Sequence, residues 1–580
     1  MSEFDLVIRG GTVFDGTGGP AVTADVAIAG DRVVQVGRVA GRGREEIDAA
    51  GVMVTPGWVD IHTHYDGQVT WDSRLTPSST LGATTVVTGN CGVGFAPVRK
   101  GDEDTLIRLM EGVEDIPGAA LHEGLSWNWE SFAEYMEAVE ALPHDIDVAV
   151  QVPHGALRVY VMGERGANRE PATPDENQRM RELTAEAIRA GALGFSTTRT
   201  MVHRTADGDL TPTLGAARAE MEAIAQGLAD AGSGVLQWVS DFAPDIDAEF
   251  QLIRDLTKIA GQPLSFSMVQ ADVVPDQWRR LTERLNQAVA EGYPIKAQVA
   301  GRPVGLMLGL QGSVHPFISR PSYAEIADLP LAEKVARMKD PAFRARLIAE
   351  APAKSHPFIN SLAGAHHKMY AIEGDTVDYE PDPATSLGAR AKALGVNPDE
   401  LVYDALLAHE GRAFLFFPMH NYVEGSLDNV HAMLTNPNCL SGLSDGGAHV
   451  GAICDVSLPT FMLTHWCRDR TRGPKLDLAA TIRAQTLDTA QAVGLSDRGV
   501  VAPGYLADLN VIDFDRLKLG VPYMVYDLPT GARRLMQDAQ GYRATIKSGQ
   551  VIYRDGEPQG PLPGKLIRGR QPAPLRQAAE

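Results

Sequence analysis

Alternation of apolar and polar residues marks both ends of the chain, and a different rhythm fills the middle. From residue 4 to about 47, short runs such as DLVIRGGTVFD, ADVAIAG and RVVQVGR alternate every second residue between glycine-rich turns, which predicts a small antiparallel β unit. The same texture returns in ADLNVID at 507–513 and YRATIKSGQVIY at 542–553. Two β-rich ends around a long middle predict that the termini meet in one small β-sandwich; two independent end caps are the alternative. Between them, short apolar runs at 59–62, 85–88, 148–152, 193–196, 235–239, 264–269, 295–299 and 440–444 alternate with amphipathic stretches such as 175–190, 218–231 and 276–291. Eight βα units predict an α/β fold, a TIM-like (β/α)8 barrel with its site at the carboxyl ends of the strands. A doubly wound open sheet is the weaker alternative, because no glycine-rich phosphate fingerprint follows the first strand.

The spacing between the last two strands is too long for a connection. Residues 305–411 read as helices, and an insertion there would cover the barrel mouth or serve as a dimerisation element. The expected organisation is 1–56 and 499–558 for the sandwich, 57–304 and 412–498 for the barrel, 305–411 for the lid, and an extended Pro- and Arg-rich tail at 559–580. A length of 580 residues accommodates these parts. The net charge of −21 speaks against nucleic acid as a partner. The first residues, MSEFDLVIRGG, lack a basic-then-apolar leader, and no apolar run reaches membrane-spanning length, so a cytoplasmic protein without membrane contact is expected. Four scattered cysteines, Cys91, Cys439, Cys454 and Cys467, do not make a disulfide framework.

Candidate chemistry concentrates at the strand ends. In VTPGWVDIHTHYD, at 54–66, His62 and His64 stand two apart and so project to one side of a strand, where two imidazoles can share a divalent ion. Cys91 follows the second strand in TTVVTGNCG and offers a thiolate, although a cysteine in that place is also an ordinary buried small residue. Asp445 in LSGLSDGGAHV ends the last strand; opening a glycine-rich turn is its plainer role.

These stretches resemble the metal-dependent amidohydrolases, and TTVVTGNCGVGFAPVR with MEGVEDIP resembles the D-aminoacylase branch, the N-acyl-D-amino-acid deacylases. The resemblance implies Zn2+ as the divalent cofactor, with His62, His64, Cys91 and Asp445 as ligands, and Asp445 as the catalytic group that takes a proton from water and returns it to the leaving nitrogen. It also implies a small-molecule N-acyl substrate and a supporting role for His154 at the scissile carbonyl. The chain departs from the family on strands five and six, where Gln237, Ser240 and Ser267 stand in place of histidines, and strand four has no lysine to carboxylate. Arg302, and after it Arg199, are the candidates for a substrate carboxylate; solvent-facing charge is the plainer reading of both. Trp71, Trp127, Trp129 and Trp238 could line an acyl pocket or a core. Three functions are compatible with this pattern: amide hydrolysis of an N-acylated amino acid, hydrolysis of a cyclic amide or lactone, and binding by a barrel that has lost its metal. A homo-oligomer is compatible with all three.

Overall fold

A computed structural model of the protein describes residues 3–353 and 357–575. Eight parallel strands follow one another around a barrel: Trp58–Asp60, Ala83–Thr88, Asp147–Pro153, Gly194–Arg199, Leu236–Ser240, Leu264–Ser267, Ile295–Val299 and Cys439–Ser441. Each coincides with one of the predicted apolar runs. Strands two and three are buried along their whole length, because one face meets the packed barrel interior and the other the surrounding helices. The ring closes beyond the ends of its ladder. Thr63 bridges Gly446, the His64 N–H donates to the Gly446 carbonyl at 2.7 Å, and the Asp445 N–H donates to the His62 carbonyl at 3.1 Å.

The barrel helices form where periodicity places them. Pro174–Ala190 starts with a capping box, in which the Thr173 hydroxyl accepts from the Glu176 N–H while the Glu176 side chain accepts from the Thr173 N–H. It stops at Gly191, whose φ of 119° suits only glycine. Arg218–Ala231 and Gln277–Ala290 likewise bury one apolar face against the strands.

The two chain ends do meet. Strands Phe4–Val13, Val22–Ala29, Arg32–Gly37, Gly43–Asp48 and Met53–Pro56 share one nine-stranded sheet with Leu509–Ile512, Tyr542–Lys547, Gln550–Arg554 and Glu557–Pro558. The sheet is mixed where purely antiparallel pairing was expected, since Phe4–Val13 runs parallel to Gly43–Asp48 and to Met53–Pro56. Residues between Ile512 and Tyr542 leave this sheet. Among them the hairpin Tyr523–Leu528 and Ala532–Met536 reaches the barrel mouth, where the Leu535 N–H donates to the Val450 carbonyl at 2.6 Å. The tail expected at 559–580 runs beside barrel strand three, with Lys565 and Ile567 exchanging backbone hydrogen bonds with Val148; residues 576–580 lie outside the described ones.

The insertion has a core of its own, including Leu306, Leu308, Phe317, Tyr323, Val335, Leu347, Val402 and Leu406. Its strands Gly305–Gly309, Tyr370–Ala371 and Phe414–Pro418 form a separate sheet, so the apolar run at 414–418 belongs to the insertion's sheet and not to the barrel ring. Residues 354–356 of the expected lid lie outside the described ones. The Met307 N–H donates to the Ala452 carbonyl at 2.7 Å and the Ser313 N–H to the Gly451 carbonyl at 2.9 Å, which seats the insertion on the loop that follows Asp445. Among the described residues, no helix is long and apolar enough to cross a membrane.

Glu380 ties the insertion to the barrel. Its carboxylate, 2 % exposed, accepts from Arg470 at 3.0 Å by two nitrogens, from His465 at 2.9 Å and from the Leu427 N–H at 2.8 Å. Burial alone would raise its pKa, but the His465, Arg470 and Leu427 donors prevail and bring it down from 4.5 to about 2. A depressed carboxyl contributes stability that is complete above its unfolded value and lost as pH falls through the folded value, here about 3 kcal/mol. Glu380→Gln should therefore lower the melting temperature near neutrality, and its gap from wild type should narrow as pH falls from about 5 toward 2. A gap that stays constant would assign the effect to shape and not to charge.

Candidate metal centre

Strand one delivers His62 and His64, strand two delivers Cys91 and strand eight delivers Asp445, all at the carboxyl ends. The ligand atoms of His62, His64 and Cys91 lie within 4.8 Å of one another. His62 Nε2 is 3.3 Å from Cys91 Sγ and 3.5 Å from Asp445 Oδ1, and His64 Nε2 is 3.8 Å from that same oxygen. The 3.3 and 3.5 Å separations are of the size that bonds of about 2.0–2.3 Å from a shared ion to nitrogen, oxygen and sulfur would give. His62, His64 and Cys91 thus form a three-donor group that fits a divalent cation, and Asp445 stands beside the two imidazoles. The His62 and His64 side chains are 1 % exposed while that of Asp445 is 17 % exposed, so the carboxylate marks the side open to an incoming molecule.

The turns that carry these groups are locked by side chains from the neighbouring strands. Gln237 on strand five accepts from the Cys91 N–H at 3.1 Å, and Ser196 on strand four accepts from the Gly92 N–H at 2.9 Å and donates to the Gly89 carbonyl. Gln298 on strand seven accepts at 2.9 Å from His62 Nδ1 and donates at 2.8 Å to Ser265 on strand six. With its proton held on Nδ1, His62 leaves Nε2 as a lone pair facing Cys91. Cys91 and Asp445 both adopt left-handed backbone, φ 54° and 49°, an unfavourable conformation for side chains other than glycine and asparagine.

Electrostatically the cluster is out of balance as a set of protein groups alone. Burial raises Asp445 from 3.8 to about 7 and drives the Cys91 thiol well up. Burial likewise lowers His62 to about 4 and His64 well below its ordinary value, His62 adding to the latter effect. Every group prefers its neutral form until a cation reverses the order for the carboxyl and the thiol.

Three residues join the site that the sequence reading did not assign to it. Glu114, 1 % exposed, ends the helix Glu103–Glu114 with Oε1 3.2 Å from His64 Nδ1 and Oε2 3.6 Å from His449 Nε2. A signal for it exists in the pattern: Glu114 stands four residues after Met110 and seven after Ile107, both buried, so an acidic residue continues an apolar face. His203 follows strand four and bonds Thr198 Oγ1 through Nδ1 at 3.0 Å; its pKa falls to about 3, through burial and then the neighbouring His449 and His62. His449 falls to about 4 for the same reasons, burial and then His62.

Other expected site residues are engaged elsewhere. His154 is fully buried, with Nδ1 2.8 Å from Thr197 Oγ1 and Nε2 2.8 Å from Glu220, so neither ring nitrogen is left for a substrate oxygen. Arg302, 1 % exposed, pairs with Asp455 at 2.9 Å, donates to Ser457 at 2.8 Å and to the Cys454 carbonyl, and stacks over Tyr379 at 4.0 Å. Arg199 pairs with Glu249 at 2.8 Å over Trp238. Arg302 is buried with its own counter-charge, and Arg199, with 17 % of its side chain exposed, is paired with Glu249. Trp238 is core, while Trp127 and Trp129 pack together beside Phe95.

Comparison with known proteins gives a coherent result. The profile described as "Amidohydrolase family" matches residues 45–553. A D-aminoacylase from Alcaligenes xylosoxydans xylosoxydans is 26 % identical over 569 residues, covering 97 % of each chain. An N-acyl-D-aspartate deacylase from the same organism is 36 % identical over 197 residues, 34 % of this chain and 37 % of that one. Among solved structures, a D-aminoacylase studied for "the functional role of the binuclear metal center" and described by "one-metal activation and second-metal attenuation" superposes with a TM-score of 0.65 at 25 % identity, over 97 % of this chain and 100 % of that one.

Arg302→Met should lower the melting temperature, costing about 3–5 kcal/mol, because Asp455 is left buried without its partner. Unchanged melting with a raised KM for an anionic substrate would instead return Arg302 to substrate recognition.

Proposed function

This chain belongs to the amidohydrolase family, and from its strand-end cluster we propose that it is a metal-dependent hydrolase cleaving the amide bond of an N-acyl-D-amino acid or a similar small N-acyl compound. The observation that carries the reading is the three-donor group of His62, His64 and Cys91 with the Asp445 carboxylate beside both imidazoles. Two imidazoles, a thiolate and a carboxylate are donors suited to zinc. A bound divalent ion supplies Lewis acidity to the scissile carbonyl and acidifies water at the site.

The chain's own residues do the rest. His62 offers Nε2 because Gln298 keeps the proton on Nδ1. Asp445, on the open side, accepts a proton from the attacking water on a carboxylate oxygen and delivers it to the departing nitrogen. Its backbone bond to the His62 carbonyl holds that oxygen beside the imidazoles throughout. The insertion is seated on the same 445–455 loop. One ion suffices in this reading, in keeping with the one-metal activation described for the similar D-aminoacylase, since Gln237 and Ser267 occupy strands five and six where a second ion would need imidazoles.

That same replacement favours a second reading, a cyclic amide or lactone as substrate, because the altered strands reshape the space around the scissile bond. A panel of N-acyl-D-amino acids, their L-counterparts, cyclic imides and lactones separates the two by kcat/KM. Asp445→Asn should keep the fold and reduce kcat by at least about 10²-fold. Chelation should abolish turnover and zinc restore it. Full activity of the Asn variant removes Asp445 from proton transfer, and full activity after exhaustive chelation removes the metal.

A further inference from the structure

Glu114 is a buried carboxylate with nothing to justify it in the fold alone. Neither carboxylate oxygen has a hydrogen-bond partner, and the nearest polar atom, His64 Nδ1 at 3.2 Å, is equally without one. The residue closes the helix Glu103–Glu114 at its C-terminal end, where the helix dipole opposes a negative charge. The backbone around it is firmly placed. The Glu114 carbonyl accepts from the His449 N–H, and the next residue, Asp115, accepts from the Ser313 hydroxyl at 2.6 and 2.9 Å and from the Gly451 N–H at 3.2 Å. Helix end, insertion and strand-eight loop therefore hold the Glu114 side chain against His64 from behind.

We infer that Glu114 is the positioning carboxylate of the metal centre, accepting the Nδ1 proton of His64 so that Nε2 is presented as the ligand. The inference rests on the metal-dependent reading above. Its logic is tautomeric. An imidazole that gives Nε2 to a cation must carry its proton on Nδ1, and in this fold Nδ1 lies 3.2 Å from Glu114 Oε1. The two histidines are then backed differently: His62 by the amide of Gln298, His64 by the carboxyl group of Glu114. A carboxyl acceptor on Nδ1 fixes the ring's tautomer and orientation and strengthens imidazole donation. His449 Nε2 lies 3.6 Å from the other oxygen, Oε2.

The test is the zinc dissociation constant of Glu114→Gln, read by competition with a chromophoric chelator, together with the melting temperature of the metal-free protein. Weakening of zinc binding by about 10–100-fold is expected, while the metal-free variant melts at or above wild type because an unpaired buried carboxyl has been removed. In zinc-loaded wild type, the imidazole ¹⁵N spectrum should show His64 protonated at Nδ1. Equal zinc affinity in the variant overturns the inference and leaves the metal reading intact; a metal-free variant that melts below wild type overturns it by making Glu114 a structural support. Wild type that binds no zinc overturns the metal reading itself, and this inference with it.

Discussion

The geometry of the site depends on how the barrel closes. Strands one and eight are too short to pair along their length, and the ring is joined at its carboxyl rim by the His64–Gly446 and Asp445–His62 backbone bonds. Closure and site assembly are thus one event: the hydrogen bond that seals the barrel sets the Asp445 carboxylate beside the imidazoles. The surroundings show why the turn is built from Asp-Gly-Gly. A Cβ on Gly446 would meet Ser78 Oγ at 2.5 Å, and one on Gly447, where φ is 87°, would meet the Tyr65 ring at 2.8 Å. Asp445 itself carries the unfavourable φ of 49°, a cost on the order of 1–3 kcal/mol that closure of the ring sustains.

Burial imposes a second constraint. Asp60, Asp66 and Asp445 are each pushed to about 7, and Glu114 well up, chiefly by desolvation. The imidazoles of His62, His64, His203 and His449 are pushed down by the same cause. Acids and bases side by side, each displaced toward neutrality, do not compensate one another by full proton transfer. They form a recess rich in ligand atoms and poor in charge, the electrostatic condition in which a cation gains most.

Much of this was legible in the chain. The eight strands and three of the helices followed from periodicity, because buried parallel strands and amphipathic helices impose it directly on sequence. His62, His64, Cys91 and Asp445 were legible because each ends a strand, and strand ends converge in a barrel. Residues that act away from strand ends were not. Glu114 lies at the far end of a helix and His203 in a loop, and only the folded path brings them toward His64. His154 and the arginines also end or follow strands, but Glu220, Asp455 and Glu249 were not legible in the chain as their partners. The mouth hairpin escaped because its alternation is the same as that of the end sheet it departs from.

The absent histidines of strands five and six read differently once their replacements are placed. A barrel that had merely drifted would fill those interior positions with apolar residues, since an unpaired buried amide or hydroxyl is costly. Instead Gln237, Gln298, Ser196 and Ser265 remain polar and are spent on the two turns that carry ligands: Gln237 on the Cys91 N–H, Ser196 on Gly89 and Gly92, and the Ser265–Gln298 pair on His62. Asn90 extends the same web, donating to the Thr63 and Val87 carbonyls while accepting from Gln151. Strands three to seven thus act as a clamp on strands one and two. These side chains hold the ligand-bearing turns in place, as presenting a cysteine in left-handed backbone beside two imidazoles requires, whereas Ser267 Oγ and Gln237 Nε2 stay without a partner.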